Sequence, residues 1–115
     1  VPHHLLDVAE PLETWDAARV ACADWGGTLA RIDSVREDEL LADHMLADSW
    51  IGANDRGVEG ELVWDDGAAL TFSNWADAQP DAFDDGEDCV EKLERNSQWN
   101  DARCEQRNPY FCERP

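Results

Sequence analysis

The sequence predicts an α+β domain. Three observations carry that reading: helical periodicity with capping residues before Trp50, short apolar runs broken by glycines after it, and four cysteines in a chain of 115 residues. The length suits one domain, taken as 1–115. Hydrophobic residues make up 43% of the chain, enough for a real core, so the net charge of −18 does not mark a disordered tail.

His4 to Val8 reads as an edge strand. Thr14 can cap a helix that starts at Trp15, since its hydroxyl can accept from an orphan N–H of the first turn. Trp15, Ala18, Cys22 and Trp25 recur near helical spacing, and Gly26-Gly27 then stops the helix. Leu29 to Ile32 is a short strand or connector. Ser34 followed by Glu37 is a capping-box signature, opening a second helix that carries Leu40, Leu41 and Met45. Beyond it, Gly52, Gly57, Gly60 and Gly67 separate short strands, Trp50-Ile51 and Leu62-Val63-Trp64 among them. From Thr71 to Asp88 no periodicity is convincing, and six acids fall between Asp77 and Asp88. A loop this long in a compact domain usually has a function or is disordered. Strands return at Cys89 to Leu93 and, past a turn around Arg95-Asn96, at Tyr110 to Glu113.

Charge and composition exclude several partners. With 27 acids against 9 Lys and Arg, the chain cannot neutralise a nucleic-acid backbone. No stretch approaches the ~20 apolar residues that cross a bilayer. Val1 to Glu10 lacks the basic start and apolar run of a signal peptide. None of the cysteines forms a CxxC pair and the three histidines lie far from them, which argues against zinc. An even cysteine count in a small acidic domain reads as two disulfides and an oxidising compartment, with three connectivities open.

The distinctive region runs from Gln79 through Pro80, Asp81, Phe83, Asp84, Asp85 and Glu87 to Asp88, followed by Trp99-Asn100-Asp101. Oxygen ligands are dense and nitrogen or sulfur ligands absent, which suits calcium, a cation that takes six to eight oxygens in flexible geometry. Gln79, Asp81, Glu87, Asn100 and Asp101 offer three carboxylates and two amides. Charge density alone fits a solvated acidic face equally well. Pro80, which fixes the backbone between two ligands, and Trp99, which anchors a strand end where two more emerge, favour the ion.

These residues resemble a C-type lectin domain. Trp50-Ile51-Gly52 resembles the family's WIG core motif, and Gln79-Pro80-Asp81 is one form of its sugar-specificity tripeptide. Gly86-Glu87-Asp88-Cys89-Val90 is similar to a third calcium-binding stretch, and Trp99-Asn100-Asp101 to the WND motif. Trp15 to Cys22 and Gly26 to Ala30 resemble the first helix and its exit, so the likeness covers nearly the whole chain in order.

The resemblance implies the fold: two helices, short antiparallel sheets, a long calcium-binding loop region and two disulfides, Cys22–Cys112 and Cys89–Cys104. It implies the short form of the domain, in a secreted or extracellular protein. Calcium would be held by Gln79, Asp81, Glu87, Asn100 and Asp101. Asp55, Glu59, Glu87 and Asp88 match an auxiliary calcium site, where Ala82 replaces an expected carboxylate and Asp84 or Asp85 stands near. Gln-Pro-Asp implies galactose or N-acetylgalactosamine binding through vicinal hydroxyls held by Gln79, Asp81, Glu87 and Asn100, with Phe83 stacking on the sugar ring. Useful avidity in such lectins comes from several copies, hence a homo-oligomer.

Nothing in the sequence marks an enzyme: His3 and His4 lie at the terminus, His44 in a helix, and no serine carries a nucleophile motif. Two other binding classes fit the same fold: a calcium-stabilised module for protein or ice, and a targeting module of a larger secreted protein.

Overall fold

The computed structural model describes residues 4–58, 60–76 and 88–114. Gln79, Asp81, Ala82, Phe83, Asp84, Asp85 and Glu87, together with Glu59, lie outside the described residues.

The helix signals act where the sequence puts them. Thr14 caps α1 (Trp15–Asp24), its Oγ1 accepting from Ala17 N at 3.2 Å, and the helix buries Trp15, Ala18 and Cys22 on one face. Gly26 adopts φ +96°, and a Cβ on Gly27 would sit 2.1 Å from the Glu113 carbonyl oxygen. Glycine is therefore required at this exit, where the chain crosses against the last strand. Ser34 caps α2 (Val35–Ala42) by accepting from Glu37 N at 3.2 Å, while Glu37 reaches back to Asp33 N at 2.8 Å. The helix is shorter than its apolar pattern predicts. It ends at Ala42, and one more tight turn delivers Met45 to the core from outside it. Leu40 is exposed, and the inward face carries Asp38 and Leu41 instead.

The strands are β1 (His4–Glu13), β2 (Thr28–Leu29), β3 (Ser49–Asn54), β4 (Cys89–Lys92), β5 (Trp99–Ala102) and β6 (Asn108–Arg114). They form one sheet in the order β1-β6-β3-β4-β5, with β2 also paired to β6. All pairings are antiparallel except β3 with β6, which meet in parallel at Trp50 and Tyr110. Leu62-Val63-Trp64 contributes only isolated bridges at Val63, to Asn54 and to Ala69.

Two disulfides close the frame as the resemblance implies. Cys22–Cys112 ties α1 to β6, and Cys89–Cys104 ties the start of β4 to the turn after β5. One core cluster packs α1, Trp15, Trp50 and both disulfides; a second packs Leu41, Ile51, Trp64, Val90, Trp99 and Phe111. Buried indoles are hydrogen-bonded rather than merely packed: Trp15 donates to Ile51 O at 3.0 Å and Trp50 to Glu13 O at 2.9 Å. No helix among the described residues is long and apolar enough to cross a membrane.

Candidate functional site

Of the five implied principal calcium ligands, Asn100 and Asp101 are described, both on β5. The β4–β5 register sets Asn100 opposite Glu91 and Asp101 opposite Val90. Asn100 Nδ2 donates to Glu91 Oε2 at 2.9 Å, and Glu91 Oε1 accepts from Gln106 at 2.8 Å and Asn108 at 3.2 Å. Glu91 is buried, so these donors offset its loss of hydration. The bond uses one N–H of the Asn100 amide and orients the group, leaving its oxygen for another partner. Asp101 is 4% exposed. A carboxylate this buried needs a cation or several donors near it, and an amide oxygen beside a buried carboxylate is a donor set that suits calcium.

The auxiliary pair is also held together. Asp55 N donates to Asp88 O at 2.9 Å, and Asp55 Oδ2 accepts from Gly60 N at 2.9 Å. Asp55 Oδ1 is buried with no hydrogen-bond partner among the described residues. Such an oxygen is the kind that a hard cation takes. Among the described residues no three acidic, histidine or cysteine side chains converge; Gln79, Asp81, Glu87 and Glu59 lie outside them.

What holds Asn100-Asp101 in place is Trp99. It is fully buried, with edge contacts to Trp64 at 5.6 Å, Phe72 at 5.9 Å and Trp75 at 5.6 Å between ring centres. Its Nε1 donates to Asp38 Oδ1 at 2.9 Å. The same oxygen accepts from Lys92 Nζ at 2.7 Å, and Asp38 Oδ2 accepts from Asn74 Nδ2 at 2.8 Å. Lys92 also donates to Ser97 O at 2.5 Å. Burial pulls the Lys92 ammonium below its ordinary range, and Asp38 partly restores it. Sequence reasoning missed this cluster because charged residues normally read as solvated. The available signal was that Lys92 is the sole lysine, two residues after core-facing Val90 on the same strand face.

Comparison with known proteins decides the family. The model of the Lectin C-type domain matches residues 12–114. The chain belongs to the C-type lectin domain family. Over 91 residues this lectin domain is 45% identical to the low affinity immunoglobulin epsilon Fc receptor of Mus musculus, covering 78% of the chain and 27% of the receptor. The chain thus spans under a third of that relative's length. Among solved structures it superposes on the mouse scavenger receptor C-type lectin carbohydrate-recognition domain with a TM-score of 0.91 at 30% identity, covering 99% of this chain and 89% of that one. A calcium-independent type II antifreeze protein also gives 0.91, at 26% identity over 97% and 85% of the two chains. The cow CD23 recognition domain, solved in the presence of a GlcNAc2Man3 oligosaccharide, gives 0.86 at 34% identity over 97% and 85%.

Proposed function

We propose that this lectin domain is a calcium-dependent carbohydrate-binding module of the galactose or N-acetylgalactosamine type, acting outside the cell and not as an enzyme. The observation that carries the reading is the Asn100-Asp101 pair on edge strand β5, with Asp101 buried, the half-buried Asn100 amide held by Glu91, and the preceding Trp99 anchored in the core. Gln79, Asp81 and Glu87 would complete the ligand set. Calcium, when bound, supplies open coordination positions for two vicinal sugar hydroxyls. The chain's own part is donor and acceptor polarity: the amides of Gln79 and Asn100 donate to those hydroxyls, and the carboxylates of Asp81 and Glu87 accept. Charge-assisted bonds of this kind are stronger than neutral ones, so their order selects the sugar. Phe83 would cover the apolar face of the ring. Asp55, Glu59, Glu87 and Asp88 are proposed as the auxiliary calcium site, with the Asp55 oxygen lacking a partner among the described residues as support. Several copies in a homo-oligomer would supply avidity.

The likeness to an antifreeze protein that needs no calcium supports a second reading, an ice- or protein-binding module. The exchange Gln79→Glu with Asp81→Asn separates the two. It keeps total ligand charge and swaps the amide and carboxylate across Pro80, so calcium affinity should hold while preference moves from galactose toward mannose. Each mismatched polar group costs about 1–3 kcal/mol, a shift of about five- to 150-fold. Competition assays that show no sugar preference in the wild type, or the same preference in both proteins with calcium bound, would reject the galactose reading.

A further inference from the structure

Strand β5, which carries two of the proposed calcium ligands, and segment 74–76 are both fastened to one buried side chain. In the first, Trp99 precedes Asn100-Asp101 and gives its indole N–H to Asp38 Oδ1 at 2.9 Å. The second is 74–76, which runs directly into the stretch holding Gln79 and Asp81; there Asn74 gives its amide N–H to Asp38 Oδ2 at 2.8 Å. The segments are also joined to each other through the backbone. Trp99 N donates to Asn74 O at 2.7 Å, and Ala76 N donates to Trp99 O at 2.9 Å. Asp38 comes from helix α2, so strand β5 and segment 74–76 are tied to a different element of the fold.

A bare carboxylate could not serve there. Asp38 is 3% exposed, and an unpaired charge at that depth is costly. Lys92 meets it at 2.7 Å with no exposure of its own, and also bonds Ser97 O in the turn that leads to Trp99. The pair is therefore more than a neutral filler for the core. Two apolar residues would fill the same space, and such replacements of buried pairs are often neutral or stabilising. They would leave the Trp99 N–H and one Asn74 bond without an acceptor.

We propose that Asp38, charge-balanced by Lys92, is a positioning residue that sets the Asn100-Asp101 part of the calcium site by fixing strand β5 and segment 74–76 to helix α2. The proposal rests on the calcium-lectin reading above. It separates the acceptor function of residue 38, which positions the site, from the ion pair itself, which only makes the acceptor tolerable in the core.

Two double variants divide these roles. Asp38→Asn with Lys92→Met removes both charges but keeps an oxygen for the Trp99 N–H, and its NH2 can donate to the Asn74 amide oxygen once that amide turns over. Asp38→Leu with Lys92→Met removes the charges and the acceptor. Calcium affinity is measured by calorimetry on the folded proteins, with unfolding in chelator recorded separately. Groups that orient metal ligands without touching the metal typically change affinity by about 10–100-fold. The Leu/Met variant should therefore bind calcium about tenfold more weakly than wild type, and the Asn/Met variant within about threefold of it. A purely structural role predicts affinities that follow the melting temperatures instead, and would overturn the proposal. If the Leu/Met variant does not fold, 3-benzothienylalanine placed at position 99, in which sulfur stands for the indole N–H, keeps the bicyclic ring and removes only the donor; wild-type calcium affinity in that variant overturns the proposal, and a loss of several-fold upholds it. A wild type that binds no calcium refutes the function reading itself, whereas a calcium-binding wild type with equal affinities in every variant refutes only the positioning role.

Discussion

Replacing Lys92 by methionine leaves the Asp38 carboxylate charged in the core, with the Trp99 and Asn74 donors and no counter-charge. Breaking a buried pair from one side costs about 3–5 kcal/mol, and the two remaining donors put this variant at about 3. Asp38→Asn strands the Lys92 ammonium in the same way, with Ser97 O and a neutral amide as partners, again about 3 kcal/mol. The double variant carries no buried charge and still accepts the Trp99 N–H, so it should lose about 3 kcal/mol in all rather than 6, a coupling at the upper end of what contacting residues show. At about 4 °C per kcal/mol, each single variant melts about 12 °C below wild type. Four fully buried tryptophans make indole fluorescence a direct readout of urea unfolding in chelator with the disulfides intact. Additive losses, or single variants within about 1 kcal/mol of wild type, would show that the two charges are not energetically paired.

Three further outcomes follow from the same structure. Millimolar calcium should raise the melting temperature and magnesium should do so poorly, since ligand at a hundredfold excess over its dissociation constant adds about 2.7 kcal/mol; an unchanged melting curve contradicts an intact site. Asp66 is held below the ordinary carboxylate value of 3.8 chiefly by the Ala68 N–H and then by Arg31. Its contribution is thus present above about pH 3.8 and lost as pH falls through the lower folded value; carbon NMR of the Asp66 carboxyl should show that low titration, and Arg31→Gln should raise it, whereas a value at or above 3.8 would be a failure. Removing Cys89–Cys104, a sequence separation of 15, should destabilise by about 3 kcal/mol, and removing Cys22–Cys112, a separation of 90, by about 4.6, measured by urea unfolding of the paired alanine variants; the reverse order would count against the loop-closure argument.

Much of this frame was legible before any coordinates. Thr14 and Ser34 carry local hydrogen-bond chemistry that acts within three or four residues, so their helices start as read. The cysteine pairing came from family resemblance, since spacing alone left three connectivities open. The parallel contact of β3 with β6 joins Trp50 to Tyr110, and nothing in the local pattern of either strand announces the other. The local patterns read as short antiparallel sheets, and this parallel contact joins them into one mixed sheet. The polar cluster was illegible for a different reason. Asp38 lies between Glu37 and Glu39 in a run of three acids that reads as solvated, and only its distant partners on β4, β5 and the segment near Asn74 make it a core residue. In the candidate site, residue type and order suggested Asn100-Asp101, but the role of Glu91 in orienting Asn100 depends on strand register and emerged only with the fold.

If sugar is held through calcium by this ligand set, retention of the domain on immobilised galactose, with and without chelator and beside a mannose support, will show it. The domain should be retained on galactose in calcium, released by chelator or by free galactose, and retained only weakly on mannose. Retention that survives complete removal of calcium, or no retention on either sugar by a domain shown to bind calcium, would contradict calcium-mediated sugar binding.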